Sequence, residues 1–201
     1  MSDNKRLVRT HITHLRRKKV DARVRKTRDA LGDAIVALMQ ERPFDAITVQ
    51  DVLDRAKVGR STFYTHFSDK DDLLMSDADE FFEGVAMSLS MHGDESDRIF
   101  PVKEFFDHVG EMREFINALV RSGKFQENMD LARGHFARGI ARRLSEMPRA
   151  KLMTDSDRSA IAFAQAGLLL SLLTWWIDHG MKESVERMDE LFHKMVWSGV
   201  S

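Results

Sequence analysis

The chain has 201 residues, of which 43% are hydrophobic and 31% charged, with 11 Gly, 3 Pro and no Cys. That length can bury a core in one or two domains, and the missing cysteines exclude a disulfide framework and thiol catalysis. The net charge of −1 conceals a basic end, because residues 1–28 hold 11 Lys or Arg against 2 acids while the remainder holds 20 against 30.

A basic arm over residues 1–21 therefore has two readings, a solvated tail or a segment that meets a polyanion. It contains no apolar run of the kind a secretory leader needs, which predicts a cytoplasmic protein. His11 and His14 are three apart but have no clear third partner, so no metal site is expected. From Val24 the positions Thr27, Leu31, Ala34, Ile35, Leu38 and Met39 recur at three and four, the stripe of an amphipathic helix. Pro43 helps stop it. Thr48-Val49-Gln50-Asp51 reads as a capping box that opens a short helix ending near Arg55. Ala56-Lys57-Val58 makes a tight turn, and a second short helix runs from about Gly59 through Tyr64. Ser68, with Asp71 three residues on, is expected to cap a further helix carrying Leu73, Leu74, Phe81, Phe82 and Val85. This succession has the layout of a helix-turn-helix.

Residues 92–98 are polar and read as a connection. Pro101 fits the first turn of a helix that buries Phe105, Val109, Met112, Ile116 and Leu119 and ends at Gly123. A helix from Phe125 to Met147 is closed by Pro148. Asp155 or Ser156 is expected to cap a long helix reaching Gly180, and a last helix carries Val185, Met188, Leu191, Phe192, Met195 and Val196. No segment alternates as a strand does. The fold class expected is all-α: an N-terminal three-helix domain (22–75) and a C-terminal helical domain (76–201).

The text of residues 48–74, TVQDVLDRAKVGRSTFYTHFSDKDDLL, closely resembles the DNA-binding domain of the tetracycline-repressor (TetR) family. Thr48, Asp51-Val52, Ala56, Val58, Ser61-Thr62-Phe63-Tyr64, His66-Phe67, Lys70 and Leu73-Leu74 carry the resemblance, which covers roughly residues 22–75. The C-terminal two-thirds matches only in helical layout and length. The resemblance implies that Tyr64 and Lys70 touch the phosphate backbone. The residues agree with it. A helix entering the major groove needs short polar side chains at its N-terminal end, and Gly59, Arg60, Ser61 and Thr62 supply them. Phe63 and Phe67, four apart, should anchor the helix, leaving Tyr64, Thr65 and His66 facing outward. Arg60 is the best reader of a base edge, because a guanidinium reaches guanine O6 and N7 together. Thr48 can bond a phosphate while capping its helix. Arg16, Arg17, Lys18, Lys19, Arg23 and Lys26 would add salt-dependent affinity. One departure is Lys57, at a turn where the family usually has Gly or Asn; at positive φ it would cost about 1 kcal/mol. It could also contact a phosphate.

Residues 161–177 are nearly all apolar, at the lower limit for a membrane span. The other reading is a helix buried by both its own domain and a partner, and the resemblance implies this second case, a four-helix bundle between two subunits. Leu168, Leu172, Trp175, Trp176, Leu191 and Met195 would supply the interface of that homodimer, with no membrane involved. The resemblance also places an effector pocket in this half. Met87, Phe105, Phe106, Met112, Phe115, Phe136 and Phe163 could line it, with His108 and Gln165 as polar anchors, although such residues are by default core. Double-stranded operator DNA and an unknown small-molecule effector are the partners implied. No cofactor is called for, and no catalytic motif is recognisable. A helical dimer that binds small molecules without an operator is the competing reading.

Overall fold

The computed structural model describes residues 22–91 and 96–198. The basic arm, with its arginines, lysines and paired histidines, lies outside them, as does part of the polar connection. Among the described residues there are nine α-helices and no strand: α1 (Ala22–Glu41), α2 (Val49–Ala56), α3 (Arg60–Tyr64), α4 (Lys70–Met91), α5 (Val102–Glu111), α6 (Arg113–Arg121), α7 (Phe125–Glu146), α8 (Asp155–Asp178) and α9 (Val185–Ser198). The chain divides into two compact units. One holds residues up to Phe81 together with 112–128, and the other holds Phe82–Glu111 and everything from Met129 onward.

In the first unit the stripe of α1 is buried at Leu31, Ala34, Ile35, Leu38 and Met39, and α2 adds Val52 and Leu53. Phe63 and Phe67 fill the same unit, with ring centroids 5.7 Å apart. The helix starts are fixed by side chains. Thr48 Oγ1 accepts the Asp51 N–H at 3.2 Å while Asp51 Oδ2 accepts the Thr48 N–H at 2.8 Å, the reciprocal box its sequence predicts. The start of α4 differs from expectation by one residue. Asp69 Oδ1, not Ser68, accepts the N–H of Asp72, and Ser68 instead donates its own N–H and hydroxyl to Asp72 Oδ2. Asp caps as well as Ser does, and its charge suits the positive end of the helix. Burial of Ile116, Ala118 and Leu119 seats α6, which packs on α1.

The second unit is built around aromatic side chains. Phe136 has Phe100 at 4.6 Å, Phe105 at 5.1 Å and Phe82 at 5.6 Å between centroids, and Phe106 lies 5.1 Å from Trp176. Helix α7 approaches α4 closely enough that a Cβ on Gly139 would stand 2.4 Å from the Ala86 carbonyl oxygen, so only Gly fits there. Arg143, almost fully buried, is satisfied by the carbonyls of Ser96 and Arg98, at 2.7 and 3.0 Å.

Two further expectations are corrected. The single helix expected from Pro101 to Gly123 is broken at Met112, which has φ −97° and ψ 22°. The break coincides with the division of the chain: Phe105, Phe106 and Val109 before it bury in the second unit, and Ile116, Ala118 and Leu119 after it bury in the first. Helix α8 is capped by Thr154, not Asp155 or Ser156; Thr154 Oγ1 accepts the Asp157 N–H at 3.1 Å, the same Thr-x-x-Asp arrangement as at α2. Gly123 and Gly180, at φ +69° and +74°, end α6 and α8 as expected. The following residues, Lys124 and Met181, donate back to Leu119 and Trp176, closing a left-handed helix stop each time.

Candidate nucleic-acid interface

Helix α3 has one inward side and one bare side. Phe63 is 0% exposed, whereas Tyr64 is 49% exposed and Gly59, Arg60, Ser61, Thr62 and Thr65 are all exposed. His66 is half-buried, its ring edge-on to Phe67. The four-residue spacing of the phenylalanines accounts for this: with both interred, Tyr64 and Thr65 between them face out, while His66 is drawn half inward beside Phe67. Gly59 starts the helix at φ −72°, and a Cβ there would meet only the Thr62 hydroxyl, at 4.0 Å. The front of the helix is therefore open for a backbone or base edge to come close. Its exposed groups are one guanidinium, hydroxyls and a phenol, donors suited to phosphates and base edges.

The flanking candidates are more committed than their sequence suggests. Thr48 gives its single hydroxyl proton to Asp51 Oδ2 at 2.6 Å, so a phosphate would have to take that proton from the carboxylate. The same hydroxyl, then the Thr48 N–H and Arg42, hold the Asp51 carboxyl down at about 2. Lys70 donates to the carbonyls of Phe44 at 2.7 Å and Ile47 at 2.8 Å, with its ammonium 4.3 Å from the Phe44 ring centre. Two of its three donors thus tie α4 to the loop before α2, leaving one for a phosphate. Lys124 lies 5.7 Å from the same ring and pairs with Asp71, whose hydrogen bond raises the lysine's pKa. Lys57 does occupy the left-handed region, with φ 56° and ψ 41°, and its side chain is exposed. The sequence reading missed Gln50. Its Oε1 accepts from Arg60 Nη1 at 3.4 Å, and its Nε2 donates to Asp54 at 2.9 Å. The four-residue spacing of Gln50 and Asp54 was the available signal.

The C-terminal candidates fall into two groups. Phe105, Phe106 and Phe136 are buried together in the second unit, joined by Phe82, read from sequence only as part of the apolar stripe of α4, and by Phe100, which the sequence did not single out. Gln165 is 9% exposed, and its Oε1 is, among the described residues, the one buried side-chain acceptor without a hydrogen-bond partner. Met87 and His108 are half-buried in this unit, whereas Met112 and Phe115 belong to the first. Two aromatics of α8 exchange places relative to expectation. Phe163, expected to line the effector pocket, is 58% exposed. Trp176, expected at the dimer interface, is buried against Phe106 and donates its indole N–H to the Glu183 carbonyl at 2.9 Å. The 3.6-residue period explains the exchange, since 165, 169, 172 and 176 share one side of α8 while 160, 163, 164, 167, 171 and 175 share another. Leu172 accompanies Trp176 inward, Leu168 and Leu191 are half-buried, and Trp175 and Met195 are exposed. By length and composition α8 could cross a membrane, yet 39% of its most apolar window is buried inside the chain.

Taken together, a helix with an anchored inner side and a bare polar outer side, following a left-handed turn, defines a helix-turn-helix DNA-binding protein with an all-helical C-terminal region. The family described as bacterial regulatory proteins, tetR family, matches residues 31–76, and that described as a transcriptional regulator C-terminal region (TetR_C_8) matches residues 101–197. The chain belongs to the TetR family of transcriptional regulators, DNA-binding proteins and not enzymes. It is similar to YxbF of Bacillus subtilis strain 168, an uncharacterized HTH-type transcriptional regulator, with 35% identity over 60 residues; the match spans 29% of this chain and only 16% of that protein. The TetR transcriptional regulator of Streptococcus agalactiae 2603V shares 27% identity and a TM-score of 0.57, over 88% of this chain and 96% of its own. The fatty acid degradation regulator FadR of Bacillus halodurans, at 16% identity, TM-score 0.58 and 86% and 95% coverage, shares the fold. Family members bind DNA as dimers and bind small-molecule effectors.

Proposed function

We propose that this chain is a ligand-responsive transcriptional repressor, working in the cytoplasm, whose homodimer holds a palindromic operator and lets go when a small molecule enters the C-terminal region. The observation that carries the DNA half is the two-sidedness of α3: Phe63 interred, Arg60, Ser61, Thr62 and Tyr64 bare. Arg60 reads a base edge. Gly59, Ser61, Thr62, Thr65 and His66 line the approach, Tyr64, Lys57 and the remaining donor of Lys70 meet phosphates, and Thr48 joins them by turning its hydroxyl proton from Asp51 to a phosphate. Residues 22–75 supply the reading head, seated on 112–128, and the rest of 76–201 supplies the effector and dimer regions. The dimer is supported by the uncovered side of α8, where Phe163, Ala164, Leu168 and Trp175 lie in register, and by Met195 of α9. A second subunit would cover this surface and set two recognition helices about 34–36 Å apart.

The effector site centres on the Phe105, Phe106 and Phe136 cluster, with the unpartnered Gln165 Oε1 accepting a donor from the ligand. Helix α4 belongs to both units by its chain and carries the shift to α3. The effector must bind the released form more tightly, because equal affinity for both forms moves nothing. Selection of bound fragments from random duplex DNA tests the reading. A palindromic consensus is expected; no enrichment, or a consensus without twofold symmetry, overturns it. Once an effector is found, operator affinity that is unchanged at saturation refutes the coupling.

A further inference from the structure

We infer that Gln50 and Asp54 are positioning residues for base recognition, holding the Arg60 guanidinium aimed before DNA arrives. The inference rests on Arg60 as the base reader. The two residues are one turn apart on α2, and Arg60 opens α3 on the far side of the Lys57 turn. Asp54 Oδ1 accepts from Gln50 Nε2 at 2.9 Å, which fixes which end of the Gln50 amide faces α3. It leaves Oε1 to accept from Arg60 Nη1 at 3.4 Å. The guanidinium carbon also lies 5.7 Å from the centre of the Tyr64 ring. Tyr64 is itself set edge-on to the buried Phe63, with centroids 5.2 Å apart. Arg60 is thus bracketed by an amide oriented from α2 and a ring anchored through α3. All four side chains are exposed, so the bracket contributes little to folding.

Its consequence is for recognition. A free arginine samples many rotamers and loses that freedom on docking, whereas a bracketed one keeps more of its interaction free energy as discrimination. A carboxylate beside a groove-reading helix also repels phosphates, so Asp54 should lower affinity for every sequence while raising selectivity at one base pair. The charge and the acceptor can therefore be separated, because Asn keeps an oxygen for Gln50 and drops the charge.

The test uses the full chain and the consensus duplex from random-DNA selection, with each base pair of the half-site replaced in turn. Arg60→Ala is expected to cut the preference at one base pair about tenfold. Asp54→Ala and Gln50→Leu should cut it roughly three- to tenfold at that same base pair and nowhere else. Asp54→Asn should retain the preference and tighten binding to all sequences alike. Adding Asp54→Ala to Arg60→Ala should cost no further preference. Thermal midpoints should match the parent throughout. If Arg60→Ala acts and Asp54→Ala leaves every base preference intact, the positioning role is wrong and the reading of Arg60 stands. If Asp54→Ala weakens all duplexes equally or lowers the thermal midpoint, its role is structural and the inference fails. If Arg60→Ala alters no base preference, the reading of Arg60 fails and takes the inference with it.

Discussion

Helices α3 and α8 are each half uncovered, and they differ in what they leave bare. The five residues of α3 present a guanidinium, two hydroxyls and a phenol over a single buried phenylalanine. The 24 residues of α8 present Phe163, Ala164, Gly167, Leu168, Ser171 and Trp175, small and apolar groups at helical spacing. Water solvates the first surface adequately, and a polyanion can replace that water with charge-assisted bonds. The second surface gains little from water and much from a matching apolar face. Exposure alone says nothing about a partner; the chemistry of what is exposed separates a polyanion from a protein.

The largest way to break this contrast is to charge the apolar side. Phe163→Asp should weaken a symmetric dimer by about 3–6 kcal/mol, since each subunit loses one aromatic from the interface, and adding Trp175→Asp should weaken it further. Sedimentation would then show monomer, and operator binding would fall with it. An unchanged dimer would mean that α8 meets something else. The next effect is at Lys70. Lys70→Ala removes two charged hydrogen bonds to part-buried carbonyls and should lower stability by about 2 kcal/mol. If its remaining donor also meets a phosphate, the salt dependence of DNA binding should drop by about one ion. A stability loss with an unchanged salt slope would leave Lys70 as a brace only.

Smaller still is the turn. Lys57→Gly should gain up to about 1 kcal/mol in denaturant unfolding, because Gly enters the left-handed region without a Cβ clash. Sequence preference should not change. Last is acid. Asp51 is held at about 2 against an ordinary 3.8, first by the Thr48 hydroxyl. A carboxyl with a depressed folded pKa stabilises fully above its unfolded value and loses that contribution as pH falls through the folded one. The capping box should therefore weaken between about pH 4 and pH 2. Asp51→Asn should flatten that part of an acid-unfolding profile.

The head was legible because its determinants are local. Phe63 and Phe67 at four, Thr48 and Asp51 at three, and Lys57 in a two-helix turn all act within a few residues. The errors there were of one position, as with Asp69 in place of Ser68, where two adjacent residues cap equally well. In the C-terminal half helices and stops were readable, but orientation was not. Phe163 and Trp176 are both large aromatics on one apolar helix, and an all-round apolar pattern carries no phase to tell inward from outward. The break at Met112 was likewise invisible, because the apolar spacing runs through it without interruption. Gln50 was overlooked because its spacing to Asp54 signals only a pair on one helix face, while its partner Arg60 lies across a turn, where helical spacing gives no guide.

That break has a practical consequence for anyone recombining such regulators. Since α6 packs on α1, and Lys124 clasps Asp71 beside the Phe44 ring, part of the polypeptide beyond residue 100 is scaffolding for the reading head. A chimera cut near residue 75 would graft a head stripped of one supporting wall. Transplanting operator specificity intact calls for carrying 112–128 along with it.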